Sequence, residues 1–345
     1  MTDLERLIAA LSEGAQEHAQ PPFAPGADSE AWRAAVAAAR AEHDASAIRH
    51  RDRVDAACAR LFGTTAAELL GARDLASREI ELPVPEATRL NGVLLPGYLE
   101  AGVPRRDRVN VTVLFPENPS ATIVRLHGGA FWMGGGAVRS IDRPLVAHLA
   151  AAANATVLDV DYRLAPEYPY PAALLDVLGV LDAVHAGQIP EAMGPIGLVG
   201  TSSGGNLATM VARVADSIAA LGLIVPSVEL AAGAQSAEAD PAAWESRSAL
   251  LRGYMGELDP ADPWFSPGAL DRLDGMPPTF AVVAERDEVA AGAAGLCAAI
   301  RAAGQDAQTQ TYPMTHVVAP PQVEAAFIRD LGTFLARELT PPSPA

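Results

Sequence analysis

Apolar residues recur at two different periods along this chain, and the change from one to the other divides it. Near the start, Leu4, Leu7, Ile8 and Leu11 share one helical face, opened by the capping box Thr2-x-x-Glu5. The Pro-rich stretch from Gln20 to Gly26 breaks that helix. Asp28 or Ser29 then caps a long helical segment running to about Phe62, with Trp32, Val36, Ile48, Val54 and Leu61 among its apolar positions. Thr65-x-x-Glu68 is a second capping box. No strand pattern interrupts residues 1–75, so they read as a helical layer laid over something else.

From about residue 79 the period shortens. Ile80, Leu82 and Val84 share one face of a strand whose Pro83 suits an edge position. An irregular piece follows to about Arg106, and then Val109 to Phe115 alternates as a half-exposed strand. Thr122–Leu126 and Thr156–Tyr162 are further strands, separated by a helix from about Asp142 to Ala153. A helix from about Pro171 to His185 leads to the short apolar strand Ile196–Val199, and Asn206–Ala212 is helical. A strand is predicted near Ile224 to Leu230, and helical material from Asp240 to Gly256. The last elements are a strand at Thr279–Ala284, a helix from Ala290 to Ala303, a strand at Ala307–Tyr312 and a helix from Gln322 to Glu338. Residues 341–345 read as a frayed, disordered tail. Strand and helix alternate from about residue 108, so the economical fold for residues 76–340 is α/β, with a mostly parallel, doubly wound sheet.

Composition narrows the functions open to this fold. At 345 residues, half of them hydrophobic, the chain can bury one large domain with an added layer, or two modest domains. A formal charge of −17 argues against nucleic acid as a partner. All 25 basic residues are arginine, which excludes Walker-type phosphate loops, Schiff-base lysines and Ser-Lys dyads. Cys58 and Cys297 lie far apart outside any motif and read as small buried hydrophobes in a reducing cytoplasm. The acidic N-terminus lacks the layout of a signal peptide, and no apolar window is long enough for a membrane span. The expectation is a cytoplasmic protein.

The candidate chemistry lies in the loops after strands. Gly200-Thr201-Ser202-Ser203-Gly204 joins a strand to a helix, a turn that exposes its central serine on a strained corner at a helix N-terminus. Cβ atoms at positions 200 and 204 would clash with the neighbouring strand and helix. His127-Gly128-Gly129-Ala130-Phe131-Trp132 follows a strand, and its adjacent glycines let N–H groups converge on an oxyanion. Asp287 and His316 each lie just past a strand end, where open α/β sheets build their sites. Each piece has a bland reading of its own: a helix cap, a glycine turn, a loop carboxylate, a surface histidine. Together they stand in the order Ser, Asp, His used by α/β-hydrolases.

With Asp161-Tyr162-Arg163-Leu164-Ala165-Pro166-Glu167 added, the chain from about 108 to 338 resembles the hormone-sensitive-lipase-like esterases (bacterial family IV) of the α/β-hydrolase fold. The resemblance implies Ser202 as nucleophile, His316 as base and Asp287 as its partner. It also implies an oxyanion hole from the N–H groups of Gly128, Gly129 and Ser203, and no metal or organic cofactor. The helical N-terminus and residues 235–260 would form a cap, and the Tyr-Arg-Leu-Ala-Pro-Glu stretch would brace the oxyanion loop. The sequence departs from the family at Thr201, at Ser203 (usually Ala), at Ala130 (often Gly), at Val317 (usually Gly) and in Glu288-Val289-Ala290-Ala291. Phe131, Trp132, Trp244 and Tyr254 are candidates for an apolar substrate pocket or, equally, for core packing. The expected activity is hydrolysis of small-molecule carboxylic esters with short to medium acyl chains. The alternatives are another reaction on the same scaffold (lactone or amide opening, acyl transfer, dehydration) or a non-catalytic binding protein. A nucleotide enzyme is remote, since no Gly-x-Gly-x-x-Gly follows a strand. A homodimer through the last strand or helix stays open.

Overall fold

The computed structural model describes residues 1–12, 23, 29–71, 75–84, 108–231 and 241–340, with only the backbone for Ser29 and residues 241–244. Three helices come first: α1 (Asp3–Leu11), α2 (Ser29–Phe62) and α3 (Ala66–Leu70). Both capping boxes form, with Thr2 and Thr65 each exchanging hydrogen bonds with the glutamate three residues on. The irregular stretch expected before Arg106, the cap candidate Asp28 and the tail 341–345 lie outside the described residues.

The strands and helices that follow are β1 (Ala76–Pro83), β2 (Arg108–Phe115), β3 (Ala121–Leu126), α4 (Arg143–Ala152), β4 (Ala155–Asp161), α5 (Ala172–His185), β5 (Ile196–Thr201), α6 (Ser203–Ala212), β6 (Ile218–Ile224), α7 (Pro241–Met255), β7 (Thr279–Arg286), α8 (Ala290–Ala302), β8 (Ala307–Thr315) and α9 (Pro321–Glu338). They build one sheet in the order β1-β2-β4-β3-β5-β6-β7-β8. β2 runs antiparallel to both its neighbours, and every other pair from β4 onward is parallel. Pro83 is the last residue of the edge strand β1, a place that tolerates a residue without an N–H.

Alternate residues of the central strands feed two cores. Val124, Leu158, Leu198 and Leu221 pack with Val177 of α5, Met210 of α6 and Leu296 of α8. Ile123, Val157, Val199 and Val282 point the other way, against Leu149 of α4 and Leu331 of α9. A third cluster joins Leu4 and Leu7 of α1 to Val54, Ala57 and Cys58 of α2, and includes Val318.

Two expectations are corrected. The alternation of β2 predicts a half-exposed strand, yet Val109, Val111, Thr112, Val113 and Leu114 are all buried. β2 lies inside the sheet, and the Thr112 hydroxyl is satisfied there, donating to Glu79 (2.7 Å) and accepting from Arg139 (3.2 Å). The strand predicted at 224–230 is in fact β6, which ends at Ile224. Pro226 has no donor for a ladder, and the chain beyond Ile224 turns instead across the start of α6, where Ser227 N–H donates to Ser202 O (3.1 Å).

Candidate active site

Ser202, Asp287 and His316 are each the first residue after a parallel strand: β5, β7 and β8. The parallel pairing brings those three strand ends to one edge of the sheet. Ser202 stands at the corner between β5 and α6 with φ 53° and ψ −117°, a conformation that costs a non-glycine residue about 1–3 kcal/mol. The corner is held by Ser202 N–H donating to Ile224 O (2.9 Å) and by the N–H groups of Gly205 and Asn206 donating to Ser202 O. A Cβ on Gly204 would lie 2.4 Å from Leu126 O and 2.3 Å from His127 O, so β3 crosses α6 only because that position is glycine. The Asn206 amide donates to Ser227 O and Phe265 O, both at 2.8 Å, fastening the flanking loops to the same helix.

His316 lies between the other two. Its Nε2 is 2.9 Å from Ser202 Oγ and its Nδ1 is 2.7 Å from Asp287 Oδ2. The tautomer with its proton on Nδ1 lets the ring donate to the carboxylate and leaves Nε2 to accept from the serine hydroxyl. The Asp287 side chain is 2 % exposed and also accepts from Val289 N–H (3.2 Å), whereas that of His316 is 32 % exposed. Beside it, Val317 is exposed.

The His127-Gly128-Gly129 loop comes up against the serine, since a Cβ on Gly128 would be 3.3 Å from Ser202 Cβ. Among the described residues no acceptor is bonded to the N–H groups of Gly128, Gly129 or Ser203. Burial, with Arg125 nearby, pushes the His127 imidazole down to about 4, so the ring is neutral. Nδ1 lies 2.7 Å from Gly128 O, to which it can only donate. Tyr162 stacks flat on the ring (4.2 Å, 7°) and donates its hydroxyl to His127 O (2.6 Å). Burial holds the Tyr162 hydroxyl well above its ordinary pKa, against the opposing pull of Arg125 and of the Ser203 hydroxyl beside it.

Three of the four aromatic candidates are buried. Phe131, Trp132 and Tyr254 are buried in the main core; Phe131 stacks on Tyr254 (4.0 Å), and Trp132 meets Phe23 and His43 edge-on. The side chain of Trp244 lies outside the described residues. A cavity of about 490 Å³ opens between α2 and residues 135–138 and 161–168, and neither Ser202 nor these aromatics line it. Sequence reasoning also missed Arg40 and Asp44 of α2, which bond to the loop after His127. Nothing in the Ala- and Arg-rich pattern of α2 separates them from surface charges.

The sheet order and its flanking helices are those of the α/β-hydrolase fold. Residues 123–319 match the family described as alpha/beta hydrolase fold, and the chain belongs to that family. Within it the chain is a hormone-sensitive-lipase-like member. It is 33 % identical over 186 residues to Esterase LipI of Mycobacterium tuberculosis, covering 50 % of this chain and 57 % of that one. It is 30 % identical over 226 residues to Carboxylesterase NlhH of the same organism, covering 59 % and 70 %. Among solved structures, a bacterial heroin esterase superposes with a TM-score of 0.68 at 21 % identity, covering 99 % of this chain and 100 % of the other. Esterase LipW from Mycobacterium marinum gives 0.68 at 22 %, with 98 % of each chain covered. At these identities the structures establish the fold. No helix among the described residues is long and apolar enough to cross a membrane.

Proposed function

We propose that this chain hydrolyses carboxylic esters through an acyl-enzyme on Ser202. The observation that carries the reading is the run of contacts from Ser202 Oγ to His316 Nε2 (2.9 Å) and from His316 Nδ1 to Asp287 (2.7 Å), at a strained strand-to-helix corner. Ser202 Oγ attacks the ester carbonyl as its proton passes to Nε2, and Asp287 steadies the imidazolium. The carbonyl electrons move onto the oxygen, which accepts from the N–H groups of Gly128, Gly129 and Ser203. Collapse expels the alcohol, which takes the proton from Nε2, and water activated by the same nitrogen frees the acid. Relatives named esterase and carboxylesterase support the substrate class. A cap made from α1–α3 and α7 would favour short to medium acyl chains, and two free, buried cysteines suit a reducing cytoplasm.

The test is hydrolysis of p-nitrophenyl esters from acetate to palmitate, with Ser202→Ala alongside. The substitution is expected to lower kcat by at least ~10³, and rates to fall beyond octanoate. Equal, feeble rates in both proteins, with no labelling of Ser202 by a fluorophosphonate, would remove the serine from the chemistry and favour a binding role.

A further inference from the structure

The loop 128–134 is held in a costly shape. Gly129 (φ 128°), Ala130 (50°), Phe131 (68°) and Gly134 (91°) all have positive φ, and for Ala130 and Phe131 this costs about 1–3 kcal/mol each. Inside the loop, the N–H groups of Trp132 and Met133 both donate to Gly129 O at 3.0 Å. The next polar groups of the loop are bonded from outside it. Phe131 O accepts from Ala165 N–H (3.0 Å), Trp132 O from Arg40 Nε (2.6 Å), and Gly134 N–H donates to Asp44 Oδ1 (3.0 Å).

Arg40 and Asp44 stand one turn apart on α2, outside the matched family range of 123–319. Beyond Trp132, the Arg40 guanidinium donates to Ala165 O (2.8 Å) and to both Glu167 oxygens (2.7 and 2.5 Å). One planar fork thus ties the loop to the stretch that backs it, a geometry an ammonium cannot reproduce. Farther along, α2 reaches the base loop: Arg51 pairs with Glu324 of α9 (2.7 Å), and Val54, Ala57 and Cys58 share a cluster with Val318, two residues past His316.

We propose that Arg40 and Asp44 are positioning residues that hold loop 128–134 in the form presenting the Gly128 and Gly129 N–H groups to the oxyanion. On this proposal α2 is a working part of the site and more than its cover. The proposal rests on the reading of Ser202 as an esterase nucleophile.

Oxyanion stabilisation is realised only in the transition state, so its loss lowers kcat and leaves KM nearly unchanged. Arg40→Ala is expected to lower kcat about 10- to 100-fold with KM within about threefold, since a misplaced donor costs up to what a deleted one does. Asp44→Ala should lower kcat less, and Asp44→Asn, which keeps an acceptor, should restore it. Affinity for an aryl trifluoromethyl ketone, whose adduct on Ser202 carries an oxyanion, should fall by the same factor as kcat/KM. Arg53→Ala is the structural control: Arg53 ties the same helix to Leu11 O (2.7 Å), so its loss should lower Tm and leave kcat unchanged. Should Arg40→Ala fail to fold, Arg40→Lys and Glu167→Gln carry the same comparison. Variants of Arg40 that lose Tm yet keep kcat and ketone affinity within twofold would overturn this proposal alone. A wild-type protein that turns over no ester and takes no label at Ser202 would overturn the esterase reading and this proposal with it.

Discussion

His127 shows how one side chain couples the site to stability. The imidazole is sealed between Tyr162 and loop 128–134, with Arg125, Asp159 and Asp161 as its charged neighbours. Burial and Arg125 bring its pKa from 6.5 down to about 4, so as pH falls through that window the unfolded chain takes up a proton that the folded chain refuses. Stability contributed by the neutral ring is complete above about 6.5 and is lost towards about 4. Urea unfolding at pH 7.5 and pH 5 is expected to show a larger loss of stability in the wild type than in His127→Gln. Equal losses in the two proteins would mean that His127 does not drive the difference. At this scale the sequence was most legible where chemistry needs a fixed local pattern. Ser202, Gly204, Asp287 and His316 could be picked out because each sits at a strand end beside a glycine turn or a short apolar run. Arg40 could not, because its partners Trp132, Ala165 and Glu167 are remote in sequence and an arginine on an alanine-rich helix has no distinguishing neighbours.

Between elements, charge inside the sheet replaces apolar packing. Arg125 on β3 is fully buried; it donates to Asp159 on β4 (2.9 Å) and also meets Asp142. Arg139 joins from the short 3₁₀ turn before α4, donating to the Asp159 carboxylate (3.2 Å) and backbone oxygen (2.7 Å). Removing the shared carboxylate takes one of two carboxylate partners from each buried cation, leaving Asp142 to Arg125 and Asp161 (3.8 Å) to Arg139, so Asp159→Ala should cost about 1.5–3 kcal/mol. A urea midpoint that moved by less than a third of that, at constant m value, would show that water reaches Arg125 and compensates. The strands carrying these charges were readable from their flanking Val, Ile and Leu. The boundaries of β6 were not: Ile218–Leu230 is apolar nearly throughout, and only Pro226 and the contact of Ser227 with Ser202 O decide where the ladder stops.

Over the whole molecule, α2 spans both sides of the site, and Cys58 on it is sealed by α1 and Val318. Cys297 on α8 is sealed in the main core. Burial raises both thiols to about 11. Neither should react with an aromatic disulfide reagent at pH 8 until urea unfolds the chain, when both titrate together. Reaction of Cys58 alone in native buffer would mean that α1 and α2 open locally without global unfolding.

The order of strands and helices, the serine corner and the succession Ser202, Asp287, His316 were determined by the sequence itself. Each follows from local physics: hydrophobic period, glycine where a Cβ would collide, and polar residues where a strand ends. Only the tertiary structure decided which side chains outside those motifs hold them in place. Arg40 reaches Trp132 across 92 residues and Glu167 across 127, and no local period relates positions so far apart. Such contacts exist only once α2 has packed against the loops that follow β3 and β4. The tertiary structure also decided that Phe131 would be buried against Tyr254, and Trp132 against Phe23 and His43, because long aromatic side chains go wherever packing against distant elements removes the most surface from water.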